Sequence, residues 1–379
     1  MSTNALIRAK VKHFDEFYTR MEDIADELPY YKRHFRDKTV YCNCDDPLSS
    51  NFFRYFVQNF HSFGLKKLIA TCCSFGTAQA SHTPKTPSSG RALKAVVTSV
   101  PTGELPLAGE ADIRALLVRE GNELSVLTGD GDYRSPECLA LLDASDMVVT
   151  NEPFSELKTI LVLLVNRQKQ FLVIGDQNAV SYKEVFPLLR DGKLWLGVHH
   201  PKRFYTPAGG IQEFGNICWF TNLPHDACRK TVPLRTAAEN LKYCGKLRKK
   251  LISYYGQDEN HLHYPHYHNY DAIEVPYVEC VPSNFNGVMA VPLTWLSSHT
   301  ADDGFRIVGA DLNRLVDELG VSPVGEEWLT AYRNSGGTGH YTANMHSLVI
   351  ITDDGRGIAP YKRILIQRKR TKGEGNETK

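Results

Sequence analysis

Short apolar runs recur along the first half of the chain, each bounded by turn-forming residues and followed by a stretch with helical spacing. From Thr39, TVYCNC has the composition of a strand, DDPLSS supplies turn and cap residues, NFFRYFVQNF has the spacing of an amphipathic helix, and LKKLIATCC is a second strand. Strand, helix and strand in this order predict a βαβ unit, and so a parallel sheet with a right-handed crossover. Residues 74 to 110 lose all periodicity and fill with Ser, Thr, Pro and Gly, which predicts a surface excursion with a short strand at ALKAVVTSV. The alternation then resumes with a helix around CLALLDA, a strand at DMVVT, a helix from about Glu156 to Arg167 and a strand at QFLVIG. SYKEVFPLLRDG follows as a helix ended by glycine, and KLWLGV and ICWFTNL as strands. Beyond residue 224 the alternation fails. A basic helix (AAENLKYCGKLRKKLISYY), a His/Tyr-rich loop, short strands and a charged tail take its place, so two units are expected, 1–225 and 226–379.

Composition narrows the class without naming a ligand. Hydrophobic residues make up 42% and charged ones 23%, the balance of an ordinary globular protein. The net charge of +1 means that any contact with a polyanion must come from local basic surface. The longest strongly apolar run, Ile160 to Val165, falls far short of the roughly 20 residues that cross a bilayer. The start of the chain lacks the pattern of a secretory signal, and a cytoplasmic setting with no membrane partner is expected. The nine cysteines are an odd number without the spacing of a disulfide scaffold or a CxxC pair, and read as reduced core thiols.

The strand DMVVT runs into Asn151-Glu152-Pro153-Phe154, an amide, a proline and an aromatic ring where an apolar strand leaves the sheet. Strand ends of this kind are where α/β proteins bind ligands. A side-chain amide oxygen and the next backbone carbonyl can together accept two hydrogen bonds from an exocyclic amino group while the ring stacks on the base that carries it. Held in this way, the nitrogen lone pair can be aimed at an electrophilic methyl group. Rate then comes from positioning and electrostatics, without a strong general base. In duplex DNA the base must first be extruded.

Around this quartet the sequence resembles the EcoRI-type adenine-specific DNA methyltransferase family. The resemblance is carried by DEFYT (15–19), VYCNCDDP (40–47), SNFFRYF (50–56), LKKLIA (65–70), GDGDYRS (129–135), DMVVTN-x-PFS (146–155), YKEVF (182–186), WLGVH (195–199), NYDAIEV (269–275), FNGVMAVPLTWL (285–296) and YKRILIQRK (361–369). It implies an α/β, Rossmann-like S-adenosylmethionine-dependent fold, with a mixed α/β C-terminal portion that recognises DNA. It also implies transfer of a methyl group from S-adenosylmethionine to the N6 amino group of a flipped adenine in double-stranded DNA. The catalytic set would be Asn151, Glu152, Pro153 and Phe154. The family pattern has proline where this chain has Glu152; the clamp needs only that residue's carbonyl, and Pro153 still biases Glu152 towards an extended backbone. Glutamate nevertheless adds a carboxylate beside a polyanion site and removes the fixed φ of proline.

In a doubly wound sheet the turn after TVYCNC faces the cofactor, which places Asn43, Cys44, Asp45, Asp46 and Pro47 there; CDDP stands where other methyltransferases have a glycine-rich loop. The alternative role for Asp45 and Asp46 is to cap the helix that follows. The resemblance adds Asp132 and Tyr133 against the cofactor adenine and Phe17, Tyr18 and Thr19 at its methionine end, although DEFYT also suits an amphipathic N-terminal helix. DNA contacts are expected where cations interleave with aromatics, at Lys202, Arg203, Arg248, Lys249, Lys250, His266, His268, Lys362 and Arg363. No metal is assigned to His261, His263, His266 and His268, whose tight spacing in a proline-containing loop works against convergent geometry. A monomer is expected, and the family leaves open a cognate restriction endonuclease acting on the same site. The rival readings are a DNA-binding protein with its chemistry disabled by Glu152, and a methyltransferase acting on RNA or on a protein amide.

Overall fold

The computed structural model describes residues 17–73, 91–102, 109–206, 209–225, 234–297, 304–311 and 318–369. The chain divides into two compact units, the first comprising Met1–Val185 and Leu194–Ala227, the second Phe186–Lys193 and Cys228–Lys379. Most of the excursion expected at 74–110, the stretch around 226–233 and the charged tail lie outside the described residues.

In the first unit the strands are β1 (Tyr18–Thr19), β2 (Thr39–Cys42), β3 (Lys67–Thr71), β4 (Leu93–Val97), β5 (Glu123–Val126), β6 (Met147–Asn151), β7 (Gln170–Asp176), β8 (Trp195–Leu196), β9 (Arg203–Tyr205), β10 (Ile211–Glu213) and β11 (Ile217–Thr221). Eight of them form one mixed sheet in the order β5-β4-β3-β2-β6-β7-β11-β8. Its centre, β3-β2-β6-β7, is parallel, as the βαβ pattern predicts, with Tyr41 beside Ile69 on one side and Val148 on the other. Its flanks are antiparallel, β4 and β5 at one edge and β11 and β8 at the other. The chain moves outward from β2 to β3 and then returns to place β6 on the other side of β2, so the strand order reverses between β2 and β6. The carboxyl ends of two such strands diverge and leave a crevice for a ligand. A small sheet, β1-β9-β10, completes the unit.

The helix Asn51–Gln58 follows from its sequence. Ser50 accepts from the Phe52 and Phe53 amides as the N-cap, and Phe52, Phe53, Phe56 and Val57 bury one face against the sheet. The helix Leu157–Asn166 buries Leu157, Ile160, Leu161 and Leu164, the i, i+3, i+4, i+7 stripe of a helix lying on a sheet. Its first turn sits directly over Gly175 of β7, where a Cβ would run into the Leu157 side chain. That close approach fixes where the quartet ahead of the helix emerges.

Two expected helices are corrected. SYKEVFPLLRDG is helical only at Phe186–Arg190, because Pro187 has no N–H to bond back to the preceding turn. AAENLKYCGKLRKKLISYY is two helices, Ala237–Tyr243 and Gly245–Tyr255, broken at Cys244 ahead of a glycine.

The second unit carries a four-stranded sheet in the order β12-β13-β17-β14, built from β12 (Ala272–Glu274), β13 (Val288–Pro292), β14 (Phe305–Asp311) and β17 (Arg363–Arg368). The hairpin of β15 (Ile350–Ile351) and β16 (Gly357–Ile358) lies against the helix Gly325–Asn334, where Trp328 donates to the Ile350 carbonyl at 3.1 Å and stacks on Tyr332. All eight described cysteines are free thiols. No described helix is long and apolar enough to cross a membrane.

Candidate active site

The carboxyl ends of β2 and β6 bring together three segments that are far apart in sequence. Asn151 ends β6, and its amide nitrogen donates to the backbone carbonyl of Phe17, just ahead of β1. That bond fixes the orientation of the amide. The opposite atom, Asn151 Oδ1, is buried and has no partner among the described residues. Next in the chain, Glu152 turns its side chain into the protein, where it is 1% exposed, and its Oε1 accepts from Asn43 Nδ2 at 2.8 Å. Glu152 Oε2, Asn43 Oδ1 and Thr19 Oγ1 are also buried without a partner. The expected carboxylate beside a polyanion site is thus corrected, because the side chain lies beneath the strand end, against the turn after β2. Burial pushes the Glu152 carboxyl up to about 8, with hydrogen bonding from Cys44 and Asn43 offsetting part of that rise.

The turn after β2 is itself tied down. Asp45 accepts from Ser50 Oγ at 2.6 Å and Thr150 Oγ1 at 3.3 Å, and its own N–H donates to the Thr71 carbonyl at 2.9 Å. Burial raises Asp45 to about 7, and the two hydroxyls pull in the other direction. Asp46 accepts from the Leu48 amide at 3.0 Å and Ser49 Oγ at 3.1 Å, which closes the turn. Neither aspartate caps the helix directly, since Ser50 does so and Asp45 orients Ser50. Pro47 is buried.

Around the quartet the rings form a cluster. Phe154 stacks on Phe17 with centroids 5.7 Å apart and planes at 27°, and meets Phe204 of β9 and Phe214 edge-on. Of DEFYT, residues 17–19 are described, and Tyr18–Thr19 is strand and not helix. Tyr18 pairs with Tyr205 and Thr19 with Phe204, while the Thr19 carbonyl accepts from Asn51 Nδ2 at 2.9 Å. Tyr133 is buried and donates to Glu156 Oε2 at 3.2 Å. Asp132 reaches outward and binds Arg134 through both oxygens, at 2.9 and 2.6 Å. Gly131 before it has φ +80°, and a Cβ there would strike the Cys72 carbonyl, so this loop can lie against the end of β3 only as glycine.

An amide acceptor aimed at nothing, a ring beside it and an acceptor-lined turn beneath it form the constellation that the quartet implies, and comparison with known proteins decides its kinship. The chain matches the family described as adenine-specific methyltransferase EcoRI over residues 5–369. It belongs to that family. It is 39% identical to the type II methyltransferase M.EcoRI of Escherichia coli over 78% of this chain and 86% of that protein. It is 34% identical to M.MpnI of Mycoplasma pneumoniae over 76% and 81%, and 32% identical to M.MgeORF184P of Mycoplasma genitalium over 77% and 82%. No solved structure matches significantly.

Within this methyltransferase the cations expected at DNA divide by environment. In the first unit, Lys202 is exposed without an ion pair among the described residues, whereas Arg203 pairs with Glu213 at 2.8 Å. In the second, Lys249 is exposed and likewise unpaired, Arg248 binds Glu259 at 3.2 Å, and Lys250 lies 3.5 Å from the Tyr254 ring centroid. His266 and His268 are exposed, and Lys362 is half-buried beside Tyr361. Arg363 is corrected. Its side chain is 12% exposed and grips the fully buried Glu274 with Nε 3.0 Å from both oxygens and Nη2 2.6 Å from Oε1. Tyr255 and Tyr267 donate to the same carboxylate, so this guanidinium is a core ion pair with no charge to spare for a phosphate.

Sequence reading missed Phe204 and Phe214, which complete the ring cluster, and Thr150 and Glu156, which hold Asp45 and Tyr133. Thr150 and Glu156 flank the quartet closely enough to have been considered. The two phenylalanines had only their aromatic character to mark them.

Proposed function

We propose that this chain is a site-specific DNA methyltransferase that moves a methyl group from S-adenosylmethionine to the N6 of an adenine extruded from double-stranded DNA. The observation that carries the proposal is the Asn151 amide, whose nitrogen is occupied by the Phe17 carbonyl, leaving its oxygen as a buried acceptor in need of a donor. An exocyclic amino group is such a donor, and the Glu152 carbonyl, next along the chain, would take its second hydrogen. Phe154, backed on one face by Phe17, offers the other to the purine. The parallel centre and its switch point support a Rossmann-like binding mode, with the cofactor across the ends of β2 and β6.

The residues at the turn fit the cofactor in one respect that can be tested. Thr19 Oγ1, Asn43 Oδ1 and Glu152 Oε2 are three buried oxygens without donors, and a ligand with an ammonium group and ribose hydroxyls brings donors and positive charge. Asn43, Cys44, Asp45, Asp46 and Pro47 would line its methionine and ribose side together with Thr19, and Tyr133 its adenine side. Asp132 would contribute only through a carboxylate already shared with Arg134. When bound, S-adenosylmethionine supplies an electrophilic methyl group on sulfur. The chain's part is to hold the amino nitrogen in line with it, exclude water with the Phe17, Phe154, Phe204 and Phe214 cluster, and leave the departing proton a path to solvent. The C-terminal unit, with Lys202 and Arg203 of the first, is assigned to DNA contact. The same reading carries a cytoplasmic setting, a monomer and a partnership with an endonuclease of the same specificity.

Transfer of tritium from labelled S-adenosylmethionine to DNA, RNA and protein in parallel tests the substrate class, and label in DNA alone is expected. Asn151→Ala should abolish that transfer while cofactor binding, measured by calorimetry, stays within about threefold. Normal turnover by this variant would remove the clamp.

A further inference from the structure

The Glu152 side chain has no part in the clamp, which uses only the backbone carbonyl, yet it is one of the most enclosed polar groups in the first unit. Asn43 donates to one oxygen, and Cys44 and Asp45 approach from the same turn. Cys73, just beyond β3, and Tyr133 and Glu156 also interact with it electrostatically. These groups are neutral or acidic, and among the described residues no Lys, Arg or His pairs with Glu152. A carboxyl group held in such surroundings lacks a cation, and among the described residues its second oxygen has no N–H or O–H partner. Both deficits point to a positively charged ligand.

We infer that the Glu152 side chain distinguishes the cationic methyl donor from its neutral thioether product by facing the sulfonium. This rests on the cofactor and clamp proposed above. If the Glu152 carbonyl holds the target amino group, that group must lie roughly 3–3.5 Å from the methyl carbon for in-line transfer. The side chain of the same residue turns towards Asn43, in the turn proposed above to line the cofactor, so a sulfonium held there would face this carboxyl. In the free protein the carboxyl is held as a neutral acid, since burial disfavours its anion. Arrival of a sulfonium favours the anion, and one proton leaves the carboxyl for solvent. With a neutral thioether in the same place the carboxylate would lack a counter-charge and would take up the proton that the methylated amine sheds. Glu152 thus ends as it began, the one net proton of methyl transfer being the one it released to solvent on binding, and the donor would be preferred to the product in each round.

Calorimetric titration of the full chain with S-adenosylmethionine and with S-adenosylhomocysteine, near pH 7 in two buffers of different ionisation enthalpy, reads this directly. The wild type should release about one proton on binding the sulfonium and none on binding the thioether. Glu152→Gln keeps an acceptor for Asn43 but cannot ionise, and Glu152→Pro restores the family's residue. In both, the proton release should vanish and the preference for donor over product should fall by about tenfold. Equal proton counts for the two ligands in the wild type, or a preference unchanged in both variants, would overturn the inference and leave the methyltransferase reading standing. Failure of the wild type to bind either ligand would overturn both. If one variant does not fold, the other decides against the wild-type count, since Asp45, also raised to about 7, is common to both.

Discussion

Two carboxyl groups, Asp45 and Glu152, are buried at the strand ends with folded-state values pushed up to about 7 and about 8. Both exceed those of the unfolded chain, so their contribution to stability is fully present below about pH 4 and is lost as pH rises through the folded values. The unliganded wild type should therefore lose stability relative to Glu152→Gln between about pH 4.5 and about pH 8, by on the order of a few kcal/mol, with no further loss above that range. Thermal melts of the two proteins across that range check it, and parallel curves would show that the carboxyl is not held neutral. At this scale the sequence was informative about type and silent about direction. Asn151 and Phe154 could be marked as acceptor and ring from the quartet alone. That Glu152 points inward to Asn43 depends on how β6 and β2 lie side by side, and nothing local to either residue encodes that.

Placement of the quartet is the work of β6 and of the helix Leu157–Asn166 that follows it, whose first turn rests on Gly175 of the neighbouring β7. Gly175→Ala should force Leu157 outward, cost about 1–3 kcal/mol by overpacking, and move Phe154 enough to lower methyl transfer about tenfold or more with cofactor affinity little changed. Denaturant unfolding and steady-state kinetics measure the two effects separately. Most elements of the sheet could be read from apolar runs and their punctuation, because a strand buried on both faces leaves a continuous signature. The failures have local causes. Pro187 cut one helix short and Cys244-Gly245 split another, both visible only once helix continuity is checked residue by residue. At the antiparallel edge β4 was legible as the short strand in ALKAVVTSV, whereas β5 escaped because Glu123–Val126 is half exposed and too short to stand out.

Across the whole molecule, positive charge serves two ends that a linear reading cannot separate. Arg363 and Glu274 form a buried pair with Tyr255 and Tyr267, so Arg363→Ala should destabilise the protein by about 3–5 kcal/mol, measured by denaturant unfolding. Lys249→Ala and Lys202→Ala should leave stability within about 0.5 kcal/mol and each reduce the salt dependence of DNA binding by about one unit of log–log slope. Anisotropy titrations over a range of salt concentrations test this, and an unchanged slope would remove that lysine from the interface. The sequence by itself determined the kinship, the alternating α/β core and the chemical type of the quartet, because periodicity and short motifs are properties of neighbouring residues. Only the tertiary structure decided which charges are spent in the core, which rings gather around Phe154 and which oxygens are left without donors. Those depend on segments more than a hundred residues apart meeting at one sheet rim, where burial sets the cost of every unpaired polar atom.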